Sequence, residues 1–228
     1  MLRVLTAVII GLGSIAAVMA SYNWPCDLAA TTEASSPAPT AALALHEQIL
    51  ASIGQRSVDL LLLGDSQVQN WPMDQWQGLD VLNAGIGGER TQHLLWRLSA
   101  PEWRDLRPAN VLIQVGGNNF WNGDSLCTVA SGLFAVAARA RELWPEAHIF
   151  YLSIAPRLGQ VSLRNRALRP ALNLYVRSSI MPNMIDSDAA LLCDSADCGY
   201  YEADHSHFSE RGHAVLTAAI KTQIFAGR

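Results

Sequence analysis

Three short stretches, Val58–Leu63, Leu79–Asn83 and Val111–Val115, each run directly into glycine, at Gly64, Gly85 and Gly116-Gly117. Apolar runs of this length suit strands buried on both faces, not strands with one face in water. The segments around them carry a helical pattern: Leu43–Ile53, Thr91–Leu98, the alanine-rich Leu126–Leu143, Leu163–Ser179 and Ser209–Ile224. Ala147–Ile154 and Asn183–Ile185 continue the alternation as a fourth and a fifth strand. Strands that alternate with helices predict an α/β fold, a parallel sheet covered on both faces. Pro170 should kink its helix, because it lacks an N–H and crowds the preceding turn. Ser209 is the expected N-cap of the final helix. In open parallel sheets, ligands bind beyond the carboxyl ends of the strands. The three glycine-bearing strand ends should therefore meet at one edge.

The 228 residues suit one domain, and 50% hydrophobic against 16% charged residues supplies a large core. The formal charge of −4, with no basic run, excludes a nucleic-acid footprint. Arg3 followed by the apolar run Val4–Ala20 marks residues 1–20 as a signal peptide or an N-terminal anchor. Either reading exports the remainder to the periplasm or beyond, and the anchor reading tethers it to a membrane. Residues 21–42, rich in Ala, Thr, Ser and Pro, read as a flexible linker too poor in apolar surface to pack, with the domain at 43–228. Of the four cysteines, Cys193 and Cys198 flank a polar turn and can staple it, with Cys26 and Cys127 left unpaired in the simplest case. Four cysteines allow three connectivities.

Four segments carry the chemistry: Gly64-Asp65-Ser66, Gly85-Ile86-Gly87-Gly88, Gly116-Gly117-Asn118-Asn119 and Asp204-His205-Ser206-His207. Ser66 stands exposed at a strand end, where a base can activate its hydroxyl. His207 has the ordinary pKa for that work. Asp204, three residues earlier, can bond one ring nitrogen while the other faces Ser66. Asp65 is expected to bond loop backbone. The Ser66 N–H, the Gly88 N–H and the Asn118 amide together offer three donors to an oxyanion. Other readings fit less well. His205 would need a different carboxylate, such as Glu202. A metal cluster of Asp204, His205, His207 and His213 lacks a ligand signature, and His213 reads as surface or loop packing. The glycines at 85–88 lack a full nucleotide fingerprint.

These four segments resemble the four blocks of the SGNH hydrolases, the GDSL lipase/esterase superfamily. Leu82–Leu98 and Val115–Asn119 further resemble the catalytic subunits of type I platelet-activating-factor acetylhydrolases and their bacterial relatives. The resemblance implies a three-layer α/β/α, flavodoxin-like fold with about five parallel strands. It also implies no metal or other cofactor and a small-molecule ester substrate with a short acyl group, often acetyl. Ser66, His207 and Asp204 would be catalytic, and Ser66, Gly88 and Asn118 would form the oxyanion hole. Asn119, Phe120 and Trp121 would bind substrate, with Phe120-Trp121 as an apolar wall of the acyl pocket. The leader departs from the cytosolic animal enzymes, and Glu89-Arg90 should alter the rim of the pocket. The expectation is an exported serine esterase acting on an acetylated carbohydrate or small ester. An O-acyltransferase with the same residues and a non-catalytic carbohydrate-binding or envelope protein are the alternatives.

Overall fold

A computed structural model describes residues 29–37, 40–158, 163–192 and 198–226. The run Val4–Ala20 lies outside them. In chain order the elements are α1 (Ala29–Thr32), α2 (Thr40–Ile53), β1 (Arg56–Gly64), α3 (Ser66–Gln69), β2 (Val81–Gly85), α4 (Thr91–Arg97) and β3 (Leu106–Gln114). There follow α5 (Gly117–Trp121), α6 (Leu126–Leu143), β4 (His148–Leu152), α7 (Leu163–Ser179), β5 (Met184–Ile185), α8 (Ser187–Ala190) and α9 (Glu210–Phe225). The five strands form one parallel sheet in the order β2-β1-β3-β4-β5. The chain thus steps outward from β1 to β2 and then returns to the other side of β1. That reversal opens a crevice beyond the ends of β1 and β3.

The leucine run of β1 shows why the sheet needs two covering layers. Leu60, Leu61, Leu62 and Leu63 are all fully buried. Side chains alternate along a strand, so Leu61 and Leu63 join the core built with α2, α4, α6 and α7. Leu60 and Leu62 join Val68 of α3 and Leu216 and Ile220 of α9 on the opposite face. Each such burial is worth about 1.5–3 kcal/mol relative to exposure.

Strand β3 begins five residues earlier than its apolar run, because Arg107, Pro108 and Asn110 interrupt the pattern without ending the pairing. Pro108 is tolerated there because β4 joins β3 only from Asn110 onward. The helix α7 runs through Pro170. Ser209 caps α9, accepting from Gly212 N at 3.1 Å.

Two expectations need correction. Part of the presumed loose segment packs on the domain, and it does so through hydroxyls and close approach, which a hydrophobicity reading does not register. Thr31 is fully buried and donates to Thr128 O at 2.6 Å, while its own carbonyl accepts from Thr91 Oγ1 at 3.1 Å. Helix α2 also begins at Thr40, inside that segment. Cys127 is not unpaired: Cys127 and Cys198 are both disulfide-bonded.

Candidate active site

Gly64, Gly85 and Gln114 lie in register at the ends of β1, β2 and β3. A helix must start immediately after β1, and Asp65 starts it: its carboxylate accepts from Gln67 N at 3.1 Å and caps α3. Ser66 is the first residue of that helix. The helix lies close on β2, and a Cβ on Gly85 would sit 2.2 Å from Gln69 N, so no larger residue fits without moving α3. Asp65 is buried, and burial pushes its carboxyl up to about 7. The Gln67 amide, His207 and Arg157 pull the other way.

His207 arrives from the loop before α9. Its Nε2 lies 2.8 Å from Ser66 Oγ, and its Nδ1 lies 2.5 Å from Asp204 Oδ2. The other Asp204 oxygen accepts from Ser206 N and His207 N, each at 2.9 Å. Bonding to the His207 ring, then to these two amides, holds the Asp204 carboxyl well below the usual carboxylate range. The tight turn places His205 at φ 57, a left-handed conformation. His205 is held through its backbone, its N–H donating to Glu202 O at 2.9 Å and its carbonyl accepting from Leu158 N at 3.0 Å.

Gln67 was not singled out by sequence, yet it holds this loop against the serine. Its Nε2 donates to Ser206 O at 2.7 Å and its Oε1 accepts from Phe208 N at 3.1 Å, so it grips the backbone on both sides of His207. The only available signal was its place next to Ser66. His213, read as surface or loop packing, is instead buried, with Nε2 3.0 Å from Gln67 O. Burial lowers its pKa.

The expected oxyanion donors are carried by the segments that follow β1, β2 and β3. Gly88 has φ +76, a left-handed conformation that favours glycine. The neighbouring Gly87 comes close enough that a Cβ there would lie 3.7 Å from Ser66 Cβ. Asn118 Nδ2 donates to Glu89 O at 2.9 Å and, at a long 3.4 Å, approaches Asp65 Oδ2. The Gly88–Glu89 loop is itself anchored in the core. Glu89 and Arg97 form a fully buried ion pair at 2.8 Å, and Arg97 Nη2 also donates to Ala84 O at 2.9 Å. Burial pushes Glu89 up to about 7 against the pull of Arg97. Glu89 therefore does not shape the pocket rim, as its position beside the glycines had implied. Arg97 has no equivalent in the sequence reading, because it sits on the buried face of α4 among apolar neighbours.

Ser66 and His207 open into a cleft of about 30 Å³, lined also by Asn118, Gln114, Trp121 and Arg157. Asn119 and Phe120 do not line it. Asn119 is fully buried, accepts from Thr91 N at 2.9 Å and donates to Asp124 at 2.9 Å, so it braces loops. Phe120 is buried in the core. Both sit on a one-turn helix, where Asn118 and Trp121, three positions apart, line the cleft and the pair between them turns to the core. Of the three proposed substrate contacts, only Trp121 reaches the cleft.

A family model described as GDSL-like lipase/acylhydrolase matches residues 52–215. Platelet-activating factor acetylhydrolase IB subunit alpha1 of Pongo abelii is 29% identical over 188 residues, covering 78% of this chain and 80% of that protein. Subunit alpha2 of Homo sapiens is 28% identical over 182 residues, covering 75% and 78%. Among solved structures, a GDSL-like lipase from Bacteroides thetaiotaomicron superposes with a TM-score of 0.64 at 16% identity, covering 80% of this chain and 97% of that one. A lipase/acylhydrolase from Enterococcus faecalis gives 0.59 at 19% identity, covering 74% and 95%. The two structures share the three-layer α/β fold with this chain.

Proposed function

The chain belongs to the GDSL-like lipase/acylhydrolase family, within the SGNH hydrolases, and from that premise we propose that this ester hydrolase is an exported serine esterase that removes short acyl groups. The observation that carries the reading is the line Ser66 Oγ–His207 Nε2–His207 Nδ1–Asp204 Oδ2, at 2.8 and 2.5 Å. In this reading Ser66 Oγ attacks the ester carbonyl as His207 Nε2 takes its proton. Asp204 holds the ring orientation and stabilises the imidazolium. The Ser66 N–H, the Gly88 N–H and Asn118 Nδ2 stabilise the tetrahedral oxyanion. Of the two Asn118 Nδ2 hydrogens, one is bonded to Glu89 O at 2.9 Å; the other is only weakly engaged by Asp65 Oδ2, at an N–O distance of 3.4 Å, and is the one available to an oxyanion. The intermediate collapses, and His207 returns the proton to the leaving alkoxide. Water, deprotonated by His207, then attacks the acyl-enzyme and releases the acid and free Ser66.

A short acyl group is supported by the size of the cleft. About 30 Å³ has room for two or three water molecules, which suits a small acyl group such as acetyl. The related proteins named acetylhydrolases point the same way. An acetylated carbohydrate or small ester is the proposed substrate. Export is supported by Arg3 with the apolar run Val4–Ala20 and by the disulfide-bonded Cys127 and Cys198, since disulfides persist in oxidising compartments. Among the described residues, no helix is long and apolar enough to cross a membrane. Residues 1–20 are proposed as the signal or anchor, with the hydrolase domain reaching back from 43–228 to take in α1 and the start of α2.

The test is hydrolysis of 4-nitrophenyl acetate together with labelling by a fluorophosphonate probe. Ser66→Ala should lose at least about a thousandfold in kcat and all labelling. Ester hydrolysis that survives Ser66→Ala would overturn the assignment.

A further inference from the structure

Arg157 is the one cation among the described residues that line the cleft. It is half-buried, and its guanidinium lies over the Trp121 ring, 5.2 Å from the centroid. Among the described residues it has no hydrogen bond or ion pair through its side chain. The Asp65 and Asp204 carboxyls act on it electrostatically, and neither forms an ion pair with it among the described residues. Gln114 Oε1, in the lining of the same cleft, is buried and has no hydrogen-bond partner among the described residues.

The segment that carries Arg157 is fixed along its length. Asn173 brackets Ile154, accepting from its N–H at 3.1 Å and donating to its carbonyl at 2.9 Å. Tyr201 donates to Pro156 O at 2.7 Å, and Leu158 N donates to His205 O at 3.0 Å. The last contact ties the Arg157 segment to the loop that carries His207. The backbone is thus held, and the guanidinium over Trp121 carries N–H donors that find no acceptor among the described residues. A partly buried guanidinium loses water when a ligand fills the cleft, and that loss is offset only if the ligand brings acceptors. A carboxylate matches the guanidinium fork in charge and geometry.

The side of the ester follows from the depth of the groups. Gln114, Gly117 and Ile154 are buried and form the inner part of the lining, which suits the acyl group. Arg157 lines the same cleft but is only half-buried, so it belongs to the outer part of the lining, the side from which the alcohol half leaves. We infer that Arg157 recognises a carboxylate on the alcohol half of the ester, so that the substrate is the ester of an acidic sugar or another acid-bearing alcohol. This inference rests on the esterase reading and narrows its substrate class.

The test compares 3-carboxyphenyl acetate with its neutral isostere 3-carbamoylphenyl acetate, on the wild type and on Arg157→Gln, Arg157→Lys and Arg157→Glu. The readout is the ratio of kcat/KM for the charged ester to that for the neutral one, which cancels general damage to catalysis. The ratio should fall about tenfold to a hundredfold in Arg157→Gln, as expected for a lost hydrogen-bonded charge pair. It should fall less in Arg157→Lys and further in Arg157→Glu. Hydrolysis of both esters with a ratio unmoved by Arg157→Gln overturns this inference alone. No hydrolysis of either ester by the wild type overturns the esterase reading, and this inference with it.

Discussion

Replacing Gln67 by Met removes both hydrogen bonds that flank His207 while nearly preserving side-chain shape. The two bonds, 2.7 Å to Ser206 O and 3.1 Å from Phe208 N, are worth about 0.5–1.5 kcal/mol each. The variant should therefore lose about 1–3 kcal/mol of stability. For a domain of this size that is a fall of about 2–10 °C in Tm, so the protein remains folded at assay temperature. The kinetic loss should be larger than the stability loss suggests. His207 has to remain within hydrogen-bond reach of Ser66, and a displacement of about 1 Å can cost a hundredfold. Gln67→Met should lower kcat on 4-nitrophenyl acetate by about tenfold to a hundredfold, with the same proportional loss across esters of different alcohols. The rate of fluorophosphonate labelling should fall in parallel, because both report the same serine–histidine geometry. Gln67→Glu keeps an acceptor for Phe208 N but sets an oxygen against Ser206 O, so it should not restore the rate. A folded Gln67→Met variant with kcat within twofold of the wild type would refute the argument that Gln67 positions the histidine.

Glu89→Gln leaves the Arg97 guanidinium buried without its counter-charge and should cost about 3–5 kcal/mol in urea unfolding. Pairing it with Arg97→Met should recover part of that loss; a single-variant cost below about 1 kcal/mol would mean that the pair does not anchor the loop. Asp65 has a folded pKa raised from 3.8 to about 7 by burial, so the folded state holds a proton that the unfolded state releases. Its stabilising contribution is full below pH 3.8 and is lost as pH rises to about 7, with a slope approaching about 1.4 kcal/mol per pH unit. Asp65→Asn should flatten the fall in stability between pH 5 and pH 7; equal slopes in variant and wild type would contradict the burial argument.

What the sequence discloses here is burial and local geometry. The alternation of apolar runs with helical segments defines the parallel sheet, and the bounds of α6 and α7 follow from periodicity alone. The leucine run of β1 is legible because each of its residues is covered from one side or the other. Ser66, His207, Asp204, Gly88 and Asn118 stand out only as a set, through the resemblance of four segments in this order to the four blocks of a known family; each residue type alone is ordinary at a turn or helix end. The rest depends on partners that periodicity does not encode. Asn119 and Phe120 adjoin Asn118, but one turn of helix sends them into the core. Glu89 sits next to Gly88, yet it points inward to an arginine eight residues on. Arg157 follows a strand end with no glycine to mark it. Thr31 packs through its hydroxyl, which no hydrophobicity scale counts as a reason to be inside.

The contact between Ser66 and His207 joins residues 141 positions apart. Most of the sheet is synthesised before the histidine exists. Leu216 and Ile220 of α9, which lie beyond the histidine, also complete the core on the face of the sheet that carries α3. That face is covered only when the segment ahead of α9 folds back across the sheet edge, where Gln67 bonds to it. The same docking step therefore closes the core and brings the proposed base to the serine, so the shape and the serine–histidine pair are acquired together.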